Sequence, residues 1–526
     1  SIDKNGLAAA FRTGIGEQHE FMASIYHLDN DNGMNYGLPW IKPRATDTGA
    51  TNTVISGLDP ASYYGMASDY NAGQANIGTV AHTFRLSADT ELKTQVRKGE
   101  YKRDQHAGTV RFAGVGTTPT TNPAAVDLSN FGPNTVFTRG LNLKIQDLDT
   151  VQAQSDFSSK FAAFGMKHHL LAGVDYSRDE RTVYGALSAA QGGLPTTKPT
   201  TQAGTPNDGA VTNEFGRPLR VTNDFVAKAF GVYAQDMVEF LPGWKALSGL
   251  RYDNLDGRYK AYAVPTNAVT PVTTTTYTQK ISEVSYRAAL LFQPTPVQSY
   301  HLSYGTSFNT SGDTYSYNSQ SANTPPESSS NIELGARLDS EDKRFTTRFA
   351  LFRSTKLHER NTDPDTAATR LLLSGKRHTA GVEIDLSGRI TPNWELYVSY
   401  MWMPVALVDE AASTSNTVGN RVGDRPGLSP KHSGTVWSTY QVTTKLRFGG
   451  GLNFRSRQAP ADVTAPAWEA PGFITGDLMA EYTLRDMSFK LNISNLTDKL
   501  YADMLYRGHY IPGKPRTVQL TGTYKF

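Results

Sequence analysis

Hydrophobic and polar positions alternate with a period of two along most of the chain. In its last segment Val518, Leu520, Gly522, Tyr524 and Phe526 fall on one face, while Thr517, Gln519, Thr521, Thr523 and Lys525 fall on the other. That period belongs to β-strands, whose successive side chains point to opposite sides. An apolar face ending on an aromatic, backed by a polar face, predicts a strand that meets lipid outside and a polar lumen inside.

The pattern recurs, and so does the way its segments are joined. Leu7 to Ile15 meets Glu20 to Leu28 through Gly16–Gln18, and Gln74 to Ala88 meets Leu92 to Arg111 through Asp89 and Thr90. Later hairpins turn at Ser340–Lys343, Thr391–Asn393, Thr443–Thr444 and Arg485–Asp486. Between the hairpins lie long polar stretches: Asn30–Gly73, Phe112–Gly140, Ser188–Phe225, Val264–Thr278, Gly312–Ser328, Asp363–Arg370, Asp409–Ser429, Pro460–Ala470 and Tyr506–Gly513. Strict alternation of short and long connections places turns on one rim and loops on the other. In outer-membrane barrels the short side is periplasmic and the long side extracellular. Aromatic residues near strand ends, among them Trp394, Tyr397, Tyr400, Trp402, Trp437 and Tyr440, are expected to form interfacial girdles.

Composition narrows the class. The 526 residues include 46 Gly, 26 Tyr and 23 Phe, yet only 38% are hydrophobic. Several soluble cores would need more aliphatic residues, whereas a barrel with a polar lumen needs fewer. No apolar run approaches the length of a spanning helix; Ala288–Phe292 is far too short. A net charge of +3 makes no case for nucleic acid, and zero cysteines exclude disulfides and thiolate chemistry. A soluble solenoid or propeller would need a fixed repeat, and none is found. The fold class is therefore all-β, a transmembrane antiparallel β-barrel.

About nineteen strands are counted, and the number is odd. Bacterial single-chain barrels have even counts with both termini periplasmic. The first strand here runs into a short turn, so the beginning of the barrel and an export signal are expected to be missing. Three further strands would make twenty-two, the size class of plugged transporters.

Several segments then carry a family resemblance: Tyr304–Asn309, Asn323–Ser328, Asn331–Ala336, Leu373–His378, Gly381–Asp385, Gly423–His432, Asn492–Tyr501 and Pro515–Leu520. Together they resemble the barrel of TonB-dependent siderophore receptors, most closely the catecholate branch. The resemblance spans nearly the whole chain. It implies an outer-membrane receptor importing ferric siderophores with energy transmitted through TonB. It also implies an N-terminal TonB box and plug, which have no counterpart here, so residues 1–526 are expected to be the barrel domain alone. Expected partners are a ferric siderophore, the TonB complex through that N-terminal region, and outer-membrane lipid. No cofactor is expected, iron entering only within the siderophore.

A ferric tris-catecholate is aromatic and strongly anionic, so its site wants Arg or Lys for charge and Tyr or Trp for stacking. Candidates on the long-loop side are Tyr36, Trp40, Tyr315, Tyr317, Arg360, Arg377, Arg421, Arg425, Tyr506, Arg507, His509 and Tyr510. The competing reading is strong, since aromatics near strand ends more often belong to girdles, and lumenal Arg and Lys more often pair with carboxylates of the plug than touch substrate. Metal and catalytic signals are weak. His168 and His169 are consecutive and would face opposite sides of a strand, and Asp363 and Asp365 lack the other ligands of a calcium loop. No nucleophile elbow or phosphate loop is present. A diffusive porin-like channel is the alternative transport reading, and an outer-membrane enzyme is a third, disfavoured by the missing catalytic groups.

Overall fold

The computed structural model describes residues 2–41, 58–194, 197–213, 216–263, 267, 272–310, 322, 325–359, 374–410, 421–459, 469–506 and 508–525. Its first strands are β1 (Ile2–Thr13), β2 (His19–Gly33), β3 (Leu38–Pro39), β4 (Tyr70–Ser87), β5 (Thr90–Ala107), β6 (Val110–Phe112), β7 (Val136–Arg139), β8 (Asn142–Ala163) and β9 (Met166–Ala186). There follow β10 (Thr201–Gln202), β11 (Leu219–Leu241), β12 (Trp244–Tyr262), β13 (Thr274–Thr295), β14 (Gln298–Asn309), β15 (Glu327–Asp339), β16 (Phe345–Glu359), β17 (Ser374–Thr391) and β18 (Trp394–Glu410). The last are β19 (His432–Gln441), β20 (Leu446–Arg455), β21 (Phe473–Leu484), β22 (Met487–Ser494), β23 (Ala502–Tyr506), β24 (His509–Pro512) and β25 (Thr517–Tyr524).

Nineteen of these form one antiparallel sheet in which each pairs with the next long strand, from β1–β2 and β2–β4 through to β21–β22 and β22–β25. The expected count and the alternation of connections both hold. The nine short turns share one rim with the ends of β1 and β25, and the nine long connections share the other. Hairpin pairing leaves little freedom at the short rim, where Phe164 and Gly165 both take positive φ between β8 and β9. The turn after β4 is tighter than the sequence suggests, because Thr90 already belongs to β5.

The sheet curls back on itself. Laid flat, nineteen strands would hold their outer edges roughly 85 Å apart, at about 4.8 Å per strand. Instead β24, in the connection after β22, pairs with β3, in the connection after β2, through His509↔Pro39 and Tyr510↔Leu38. The two ends of the sheet therefore meet at the long-loop rim. Among the described residues β1 and β25 each pair with one wall strand only, and they run in the same direction.

Which face points outward follows from exposure and register. Val174, Phe230, Val232, Leu250, Tyr252, Val284 and Tyr286 occupy one face of β9 to β13 and are solvent-exposed, Leu250 by 63%. Their neighbours Asp175, Tyr233, Arg251 and Asp253 occupy the other face and bond among themselves. Apolar outside and polar inside inverts a soluble protein and fits a lipid-facing wall. Val518, Leu520 and Tyr524 lie outward on β25 as the alternation predicts, while Phe526 lies outside the described residues.

One sequence-based assignment is corrected. Trp394, Tyr400, Trp402 and Tyr440 lie on the outward face, but Tyr397 and Trp437 do not. They share a face with Glu395, Thr439 and Arg447, which line a common concavity with them. Odd positions of β18 to β20 point inward, so these two aromatics belong to the lumen rather than to a girdle.

Candidate functional site

The long connections do not behave as separate polar stretches. The described parts of connections 34–69, 108–141, 187–218 and 495–516 pack into a layer at their rim containing two small sheets, β6–β7–β10 and β3–β24–β23. Between the sheets lies an apolar cluster of Leu38, Trp40, Leu58, Tyr64, Val110, Phe137, Ala470, Ala502, Leu505 and Tyr510. Burying such residues in a loop layer orders backbone that would otherwise fluctuate.

Buried charge fastens three of these connections. Lys198 Nζ stands 3.0 Å from Asp69 Oδ1, with side chains 0% and 2% exposed. Asp69 Oδ2 also accepts from the amides of Met66 at 3.0 Å and Gly108 at 2.9 Å, and from the Tyr63 hydroxyl at 3.4 Å. Arg139 Nη2 donates to both Asp208 carboxylate oxygens, at 2.7 and 2.6 Å, while Nε and Nη1 donate to the carbonyls of Tyr64 and Pro199 at 2.7 and 3.2 Å. Burial alone would raise the Asp208 pKa, but the Arg139 guanidinium and the Ala210 amide hold it below the ordinary carboxylate range. Burial pushes the Tyr510 phenol up to about 12 and raises Tyr63 as well.

The structure gathers some predicted site residues and separates others. Trp40 and Tyr510 sit inside the rim cluster, 2% and 0% exposed, edge to face with ring centroids 6.3 Å apart. His509 is buried beside them and bonds the Val110 carbonyl through Nε2. Tyr36 is half-buried at the edge of the layer, its hydroxyl accepting from Gln105 Nε2 at 2.7 Å.

Three cations lie elsewhere on the rim. Arg425 donates to the carbonyls of Met403 and Ser429 at 2.7 Å and of Pro404 and Pro430 at 3.2 and 3.3 Å, so it pins its own connection against β18. Arg421 is exposed and paired with Asp424 at 3.1 Å. Arg377 is half-buried in β17 next to a register shift, opposite Val408. Tyr315, Tyr317, Arg360 and Arg507 lie outside the described residues, as do Asp363 and Asp365; Tyr506 is described as part of β23 without its side chain.

The residues that organise the layer carried no local signal. Lys198 and Asp69 are 129 positions apart, and Arg139 and Asp208 are 69 apart. Only the lumenal placement of Tyr397 and Trp437 could have been read earlier, by letting the alternation outweigh their position near strand ends.

The lumenal wall is lined by paired charge. Arg251 bridges Asp175 at 2.7 Å and Asp253 at 2.6 Å, and its guanidinium lies 5.2 Å from the Tyr233 ring centre. Nearer the short-turn rim, Arg389 pairs with Glu395 at 3.0 Å and Arg447 with Glu481 at 2.5 Å. Such a wall can hold or pass a polar, charged solute. Among the described residues no three His, Asp or Glu converge as a metal site, and His168 bonds Asp236 at 2.6 Å rather than sharing a ligand with His169.

Comparison with known proteins places this arrangement. A family model described as TonB dependent receptor-like, beta-barrel, matches residues 18–496. The chain is 26% identical over 552 residues to the "Probable TonB-dependent siderophore receptor PiuA" of Acinetobacter baumannii, covering 99% of this chain and 70% of that protein. It is 24% identical over 559 residues to the catecholate siderophore receptor Fiu of Escherichia coli K12, covering 100% of this chain and 70% of that protein. The crystal structure of Fiu in its closed form superposes with a TM-score of 0.82 at 21% identity, over 100% of this chain and 75% of that one.

Proposed function

Since the chain belongs to the TonB-dependent receptor-like β-barrel family, an outer-membrane family, we propose that it forms the wall and loop rim of a receptor that captures ferric siderophores of the catecholate type and admits them by TonB-dependent import. The observation that carries this reading is the rim layer. Its four connections are tied together by buried ion pairs and an apolar cluster. A diffusive porin-like channel has no use for a preassembled layer of that kind, and the relatives are receptors. Pre-ordering a rim lowers the entropy lost when a ligand is held there.

In this reading iron is cargo carried by its chelator, not a resident cofactor. The anion is captured by exposed or half-buried groups at the long-loop rim, Tyr36 and Arg421 among those described. Trp40, His509 and Tyr510 act beneath them, keeping the layer in shape. Growth rescue under iron limitation tests the reading. Cells lacking their own catecholate receptors and carrying the full-length gene should grow on iron(III) tris-catecholates and not on hydroxamate chelates. Equal rescue by both, or rescue independent of TonB, would refute it.

A further inference from the structure

We infer that the outward face of β9 to β13, just above its apolar band, binds a phosphorylated, multiply acylated glycolipid of the outer leaflet, the lipid A part of lipopolysaccharide. The inference stands on the wall and its membrane and is independent of the siderophore reading.

One strand sets the height of the site. On β13 the outward positions Phe292, Leu290, Ala288, Tyr286 and Val284 are apolar, a run of nine residues from end to end. That is the length of strand that crosses a bilayer core. The next outward positions toward the long-loop rim are Ser282 and Lys280. Lys280 therefore stands roughly 13 Å along the strand above Val284, at about 3.3 Å per residue, where headgroups replace acyl chains.

The inner side of the wall changes at the same height. Lower down, the lumenal residues Asp175, Tyr233, Arg251 and Asp253 are polar and bond among themselves. Here Phe225 and Ala227 are buried on that side, with Leu255, Tyr259 and Tyr277 packed against them. The apolar side of the sheet has moved from outside to inside, which is the arrangement of a wall surrounded by water and headgroups rather than hydrocarbon.

Register then gathers cations on the outward side. Arg178, Lys228, Asp256 and Lys280 face one another in a row across β9, β11, β12 and β13, and Arg258 and Lys260 are the next two outward positions above Asp256. Arg178, Lys228, Arg258 and Lys280 are exposed. The carboxylates on this face are Glu180, Asp224 and Asp256. Glu180 pairs with Arg178, and Asp224 accepts from the hydroxyls of Thr182 at 3.0 Å and Tyr262 at 2.6 Å. Two lysines flank Asp256, so five cations meet three carboxylates and the patch is positive however they pair. The neighbouring outward face of β5 and β8 has the opposite balance, with Lys98 and Lys102 against Glu100, Asp104, Asp147 and Asp149.

Lipid A matches this layout from top to bottom. Its two phosphates meet guanidinium and ammonium groups, the side chains that bind phosphate by charge-assisted hydrogen bonds. Its acyl chains lie on Val232, Leu250, Tyr252 and Val284 directly beneath, all exposed. Basic residues clustered at a membrane boundary select anionic lipid.

Native mass spectrometry tests the site on the full-length receptor, stripped of lipid in neutral detergent and titrated with bis-phosphorylated lipid A. EDTA is present, so that divalent ions cannot bridge phosphate to the carboxylates. Saturable retention of lipid A is expected. Lys228→Gln with Arg258→Gln and Lys280→Gln should weaken it by at least about tenfold, whereas Lys98→Gln with Lys102→Gln should leave it unchanged. Asp256→Asn raises the net charge of the patch and should strengthen retention by about threefold. Lipid A without phosphates should bind at least about tenfold more weakly to the unaltered receptor, and inorganic phosphate should not displace the intact lipid.

Unaltered retention in the triple variant overturns the site. So does equal binding of the dephosphorylated lipid, which would leave apolar contact alone. Displacement by inorganic phosphate, or by phosphatidylglycerol at equal concentration, reduces the patch to a general anion surface and also overturns it. If the triple variant does not assemble, Asp256→Asn decides, and unchanged or weaker retention there overturns the proposal.

Discussion

Replacing Lys198 with Met should loosen the rim layer without touching the barrel wall. In the folded protein its ammonium lies 3.0 Å from the Asp69 carboxylate, and neither side chain is accessible. At that separation the attraction is about 5.5 kcal/mol for an effective dielectric of about 20. Part of it offsets the hydration both ions have lost, and breaking such a pair by removing one partner costs about 3–5 kcal/mol, chiefly through the unpaired charge left behind. Asp69 keeps its bonds from the amides of Met66 and Gly108 and from Tyr63, which argues for the lower end, about 3 kcal/mol. At 1.4 kcal/mol per factor of ten, opening of the layer should become roughly a hundredfold more frequent. Amide hydrogen exchange reads this directly. Protection at Met66, Gly108 and Asn207 should fall on that scale, while amides of the β11–β12 pair stay as they were. Adding Asp69→Asn to Lys198→Met removes the stranded charge and should restore much of the loss. A change under threefold in the single variant, or a double variant no better protected, would refute the charge argument.

Other consequences can be measured as simply. Leu250→Arg, on the exposed outward face, should destabilise the barrel by about 2–4 kcal/mol in urea unfolding from lipid vesicles, whereas Ser285→Arg on the lumenal face should cost little. The Tyr510 phenol is held at about 12 against an ordinary value of about 10, so its contribution is complete below pH 10 and is lost as pH rises through about 12. Tyr510→Phe should abolish that alkaline loss of rim protection and cost nothing at neutral pH, since the buried hydroxyl has no hydrogen-bond partner among the described residues. Arg425→Ala strands four carbonyl oxygens and should expose residues 421–431 to proteolysis at a cost of about 1–3 kcal/mol.

The amino-acid sequence by itself determined the wall. A period of two decides which side chain faces lipid within each strand, and a one-residue slip would turn every apolar group inward, so register and sidedness are written locally. Alternating short and long connections likewise determined the rims, because a hairpin turn needs only its own few residues. The same alternation already placed Tyr397 and Trp437 in the lumen, and only the habit of assigning strand-end aromatics to girdles obscured it. What the tertiary structure decided is the rim. Asp69 meets Lys198 across 129 residues, and His509 meets Val110 across 399. Such contacts have no local period, and they exist only once the sheet has curled far enough to bring its two ends together. Trp40 and Tyr510 read as exposed stacking groups along the chain for that reason. Their burial comes from loops that become neighbours after the wall has formed.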